Sequence, residues 1–133
     1  MTADTQIDIL VIPEGEHPIR KTIPNTLEAK QEEVKGLIEP FGLKDGTTIY
    51  CNEEGKLSPW TLNRSIRADD ISNEGDGHIV EMMAGTFIIT GFDPETGEDT
   101  SLTEEQADHW EQRFHNPEIL VSNNGDWIVI PIA

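Results

Sequence analysis

The stretch Ala84-Gly-Thr-Phe-Ile-Ile-Thr-Gly-Phe92 constrains the fold more than any other part of the chain. It is apolar and β-branched, carries Gly85 and Gly91 near its ends, and is too short for a stable helix. Alternation puts Phe87 and Ile89 on one face and Thr86, Ile88 and Thr90 on the other, so both faces need cover. The stretch is predicted to be the central strand of a sheet, with elements packed above and below it. The two glycines are predicted to mark bends or a close approach of backbone.

The flanking segments supply that sheet and its cover. Ile7 to Ile12 is a strand-like run, Pro13 to Pro18 a turn, and Ile19 to Ile23 an alternating strand with Ile19, Lys21 and Ile23 opposed to Arg20 and Thr22. A helix is predicted from Asn25, with Glu28 in the capping-box position; Leu27, Val34, Leu37 and Ile38 form its apolar stripe and Pro40 stops it. Thr47 to Asn52 reads as a strand, Asn73 to Gly77 and Asp93 to Gly97 as turns, and Ile79 to Met82 as the approach to the central strand. A second helix follows Thr103, boxed by Gln106, with Ala107, Trp110 and Phe114 on its buried stripe. Ile119 to Val121 and Trp127 to Ile130 flank Asn123-Asn-Gly-Asp126, the signature of a hairpin. The expected fold is α+β: a mixed or antiparallel sheet, two packed helices and a C-terminal hairpin. It forms one acidic domain over residues 1–133, with a core at about 7–114 and the hairpin at about 117–132.

Charge bounds the function. The formal net charge is −17, and beyond Arg67 Arg113 is the only Lys or Arg. Such a chain repels nucleic acid and anionic membranes, so basic proteins and cations are the partners it suits. Solubility alone, or adaptation to high salt, explains the same charge. The single cysteine, Cys51, forms no intramolecular disulfide, and no apolar run is long enough to span a bilayer. With no basic-then-apolar leader near Met1, the expectation is a soluble protein of the bacterial cytoplasm.

Chemical motifs are few. Asp93 to Glu104 places acids like a calcium loop, but glycine stands at its fifth position and Glu98 where the sharp turn requires glycine, so a plain turn is the better account. His17, His78, His109 and His115 have no metal-ligand spacing, and no phosphate-cradling loop or nucleophile motif is present. No catalytic residue, metal or cofactor is assigned; the balance of motifs is against an enzyme while leaving one open. Trp110 and Trp127 read as core, whereas Trp60, beside Pro59, reads as an exposed anchor.

Several segments together resemble a small domain-of-unknown-function family found largely in bacteriophages, plasmids and the genomes that carry them. They are Ile12-Pro-Glu-Gly15, the Asn25 helix, Ile49-Tyr-Cys-Asn-Glu-Glu-Gly-Lys56, Leu62-Asn-Arg64, the central stretch, and Ser101-Leu-Thr-Glu-Glu-Gln106. The resemblance spans about Ile7 to Phe114 and implies a mobile-element accessory protein of mixed α/β structure, with no catalytic residues to carry over. The long acidic turn and the hairpin after Asn116 are read as additions of this chain.

Three functions compete. In the first, the chain binds a basic host or element protein, such as a nucleic-acid-binding or defence protein, in one form as a DNA mimic or inhibitor. Its surface would be the Lys- and Arg-free run of Asp93, Glu95, Glu98, Asp99, Glu104, Glu105, Asp108 and Glu111. Lying off the Trp110 stripe, Glu104, Asp108 and Glu111 are expected to tolerate charge reversal without loss of stability. In the second, a small enzyme or nucleotide-binding protein uses a pocket near Arg64, Arg67 or His78. In the third, a structural or oligomerisation adaptor uses an exposed apolar patch. The sequence leaves the oligomeric state open.

Overall fold

A computed structural model describes residues 5–54, 62–124 and 126–132. Strand β1 (Gln6–Ile12) turns through Pro13–Pro18 into β2 (Ile19–Pro24), paired antiparallel so that Ile7 faces Ile23 and Leu10 faces Arg20. Helix α1 (Leu27–Val34) leads to β3 (Ile38–Gly42), which pairs antiparallel with β4 (Thr48–Asn52). After β5 (Leu62–Arg67) and the single turn α2 (Ala68–Ile71), β6 (Ile79–Ala84) folds back on β5 as a separate ribbon. Then come β7 (Phe87–Asp93), the short β8 (Glu98–Thr100), α3 (Glu104–Arg113), and the hairpin of β9 (Glu118–Asn123) and β10 (Asp126–Pro131).

The main sheet runs β2-β1-β7-β4-β3, with β8 on the outer part of β7, and every pairing in it is antiparallel. The predicted central stretch is the middle strand. Ile88 pairs with Val11 on one side and Tyr50 on the other, and Ile89 with Leu10 and Ile49. Its two faces feed two cores, as the alternation requires. Ile88 joins Ile7, Ile9, Val11, Ile23 and Val34 beneath α1. Phe87 and Ile89 join Leu10, Ile12, Ile49, Ile66, Met83, Trp110 and Phe114 beneath α3 and the β5–β6 ribbon. Burying such side chains stabilises by roughly 2 kcal/mol each, which is why a chain with so much charge still folds around this strand.

Both glycines have a geometric reason. Gly85 takes φ 73° at the corner where the chain leaves the β5–β6 ribbon for the main sheet. A Cβ at Gly91 would lie 2.5 Å from Thr100 Oγ1 and 2.6 Å from the Ser101 carbonyl oxygen, so β8 could not close on β7.

The first helix departs from expectation. Thr26, not Asn25, is the cap and accepts from the Ala29 amide at 3.1 Å. The helix stops at Val34, with Lys35 left-handed at φ 63°, so Leu37 and Ile38 are not on its stripe and Leu27 and Leu37 are exposed. Asn52 sets the stop: its Nδ2 donates to the Val34 carbonyl at 3.1 Å and occupies the space a side chain at position 36 would need. Ile38 still packs beside the α1-face core, but from β3. Pro40 is no helix stop; it sits opposite Tyr50 on the edge strand, where its missing N–H disturbs no ladder.

No helix among the described residues is long and apolar enough to cross a membrane. Trp60 lies outside the described residues, as does the Trp127 side chain.

Candidate functional site

Helix α3 carries Glu104, Glu105, Asp108 and Glu111 of the predicted site. Thr103 Oγ1 accepts from the Gln106 amide at 3.1 Å while Gln106 Oε1 accepts from the Thr103 amide at 3.0 Å, which fixes the phase of the first turn. That phase buries Ala107, Trp110 and Phe114. The Trp110 indole N–H, buried with its ring, donates to Asp45 at 2.8 Å, and the ring stacks on Phe114 at 5.8 Å between centroids.

The same phase turns Glu104, Asp108 and Glu111 toward one arginine that sequence reasoning did not connect with them. Arg20 on β2 donates to Glu104 at 2.7 Å, Asp108 at 2.5 Å and Glu111 at 3.1 Å. The β1–β2 register causes this: Arg20 stands opposite Leu10 and points to the α3 side, while its neighbour Lys21 reaches Glu33 on the α1 side at 2.7 Å. The Arg20 guanidinium is held above the usual arginine range by the Glu111 hydrogen bond first, then those to Glu104 and Asp108. Three carboxylates on one cation leave an array of net charge about −2 whose side chains are held in place. Glu104 remains 80 % exposed and Asp108 57 %, so the array faces solvent. The expectation that charge reversal here leaves stability untouched is corrected: reversal would put Arg20 among three cations.

The other predicted residues divide. Glu95, Glu98 and Glu105 are exposed, and Asp93 closes its own turn by accepting from the Glu95 amide at 2.9 Å. Asp99 does not belong to any surface: its side chain is 5 % exposed and accepts from Lys30 Nζ at 2.5 Å and the Tyr50 hydroxyl at 2.9 Å. It is a buried counter-ion that ties α1 to β4 and β8. Burial first, and then the bond to Asp99, push the Tyr50 hydroxyl well above the ordinary tyrosine range.

Arg64, Arg67 and His78 do not converge on a pocket. Arg64 is fully buried and donates to the carbonyls of Phe114 at 3.1 Å and Glu16 at 2.7 Å and to Asn63 Oδ1 at 2.5 Å. Burial lowers its pKa from the usual arginine value. Arg67 donates to the Gly77 carbonyl at 2.8 Å, and the His78 ring pairs with Asp76. A second buried network joins α2, α3, β5 and β9: Arg113 grips both Asp70 oxygens at 2.8 Å, and Glu118 accepts from the Ser65 amide and hydroxyl.

Several concave regions open among the described residues. A cleft of about 200 Å³ opens between β3–β4 and β6, with Phe41, Met82 and Met83 in its wall and Glu39 and Glu53 among its lining. A groove of about 430 Å³ runs past the start of α3, lined by Lys44, Asp45, Asn73, Glu105 and His109. Among the described residues no three His, Cys, Asp or Glu side chains are placed to hold a metal ion.

The sequence matches the model of a domain of unknown function, DUF3846, over residues 7–115. Comparisons with curated proteins and with solved structures give no match.

Proposed function

Because the chain belongs to the DUF3846 family, which carries no assigned activity, we propose from its surface that it acts by binding a basic protein. The contact surface in this reading is the exposed acidic face of α3 with the β7–β8 turn. The observation that carries it is the Arg20 array. Carboxylates already fixed by Arg20 lose little side-chain freedom when a cationic partner arrives, which removes part of the usual ordering penalty. Glu95, Glu98 and Glu105 add unpinned charge that speeds encounter. The resemblance noted in the sequence supports a setting in bacteriophages or plasmids, with a bacterial nucleic-acid-binding or defence protein as the partner and DNA mimicry as one form of the contact. Asp99 and Trp60 have no part in this surface as proposed.

The test is capture from nuclease-treated bacterial lysate over a salt series, using the wild type and a Glu95→Lys/Glu98→Lys/Glu105→Lys variant. A basic protein retained at low salt, released as salt rises and retained less by the variant is the expected result. Retention indifferent to both salt and charge reversal would overturn the reading.

A further inference from the structure

A different part of the acidic excess surrounds the cleft between β3–β4 and β6. The β3–β4 register builds one side of it. Phe41 stands opposite Ile49 and Glu39 opposite Cys51, and the Glu53 amide continues the ladder by donating to the Leu37 carbonyl at 2.9 Å. Alternation therefore puts Glu39, Phe41, Cys51 and Glu53 on one face of the sheet, while Asn52 turns the other way to bond Val34. Phe41 and Cys51 pack partly buried against the α3-side core, which confirms that face. Met82 and Met83 of β6 supply the other side.

Size and polarity narrow what fits. At about 200 Å³ the cleft falls below the ~300–1,000 Å³ of sites that enclose whole drug-sized ligands, and it suits one long side chain. Three of its nine described lining residues are carboxylates, against 26 acids in 133 residues of chain, and none of the nine is Lys, Arg or His. Acid is thus concentrated where the chain is concave and its wall holds an aromatic ring and two thioethers, the two halves of a site for a cation on an apolar stem. Glu81 is held by its own strand, accepting from the Met82 amide at 2.9 Å, so Glu39 and Glu53, both exposed, define the charged end. As diagonal neighbours on adjacent strands they have Cα atoms about 7–8 Å apart. That span matches the two donor edges of a guanidinium better than a point-like ammonium, and a guanidinium also stacks on a ring such as Phe41. We propose that the cleft binds the side chain of an arginine presented by another protein, its guanidinium between Glu39 and Glu53 and its stem along Phe41 and the methionines. No residue of the cleft belongs to the acidic face of α3, so neither site depends on the other.

The test is a two-dimensional NMR titration of the full chain at constant ionic strength with N-acetylarginine amide. Saturable shifts are expected at the amides of residues 39, 41, 51–53 and 81–84, with a Kd of about 1–10 mM for so small a probe. N-acetylcitrulline amide, the uncharged isostere, should bind at least about tenfold more weakly, and N-acetyllysine amide at least about threefold. Free arginine, whose carboxylate the acidic chain repels, should also bind at least about threefold more weakly. Glu39→Gln/Glu53→Gln should cost at least about fivefold in affinity, whereas Glu32→Gln/Glu74→Gln, the same charge change at exposed positions elsewhere, should stay within about twofold of wild type. Lys56→Gln should likewise stay within about twofold. No saturation by about 50 mM, equal binding of the citrulline or lysine probe, or equal losses in the two glutamine variants would each overturn the proposal. Tighter binding of free arginine would make the ligand a small molecule rather than another protein, and a gain of about tenfold in Lys56→Gln would make the chain its own ligand; either result also overturns it. Capture of a basic protein by the α3 face bears on none of these outcomes.

Discussion

Arg64 shows how a charged side chain can serve the fold rather than a ligand. Its guanidinium spans acceptors on three residues, Glu16, Asn63 and Phe114, and no point charge can reproduce that spread. Arg64→Lys should therefore lose nearly as much stability as Arg64→Met, on the order of 2–4 kcal/mol, because both leave buried acceptors without these donors. Urea denaturation measures this directly, and a lysine variant within about 0.5 kcal/mol of wild type would contradict it. Phe87 makes the simpler point. It is fully buried and meets Phe114 edge-on at 5.5 Å, so Phe87→Asp should abolish cooperative unfolding. Tyr50 gives the pH dependence. Its pKa is raised on folding, so the folded state holds the phenolic proton more tightly than the unfolded chain. The associated stability is whole below pH about 10 and is lost as pH climbs above it. Tyr50→Phe should start less stable at neutral pH, having lost the bond to Asp99, yet decline less steeply above pH 10. Equal alkaline slopes in the two proteins would show that Tyr50 does not carry the effect.

At the scale of elements, the latch between β2 and α3 couples the acidic face to the fold. Glu104→Lys/Asp108→Lys/Glu111→Lys should lower the thermal midpoint, and adding Arg20→Glu should recover part of the loss by restoring opposite charge across the pair. No recovery in the quadruple variant would mean the three carboxylates act independently of Arg20. What was legible in the sequence follows the range of the interactions that decide it. The Thr103–Gln106 box and the Trp110 stripe were legible because both are settled within a few neighbouring residues. The end of α1 was not, because it is set by Asn52 arriving from β4, and Pro40 offered a false local signal. The acidic residues were visible one by one. Their arginine was not, since Arg20 and Glu104 are 84 positions apart and meet only through the sheet register. Asp99 looked like one more surface acid for the same reason: Lys30 lies 69 positions away.

For the whole molecule the question is whether the acidity serves recognition or adaptation to salt. Twenty-six acidic side chains stand against nine Lys and Arg, so self-repulsion must oppose the compact state. The pairs that join elements across the interior are shielded from that balance. Lys30–Asp99 and Arg113–Asp70 have side chains between 5 % and 20 % exposed, where dissolved ions screen poorly. Together with the two apolar cores, they should hold the fold without help from salt. The expected result is cooperative thermal unfolding even at 10 mM NaCl. The midpoint should rise as the screening length falls from about 30 Å toward about 8 Å, and then flatten. The measurement belongs at low micromolar protein, where association between copies does not shift the midpoint by mass action. A chain that is unfolded at 10 mM and folds only in molar salt would assign the acidity to a saline environment. The Arg20 array would then be one more surface ion cluster, and the case for a basic partner would lose its main support.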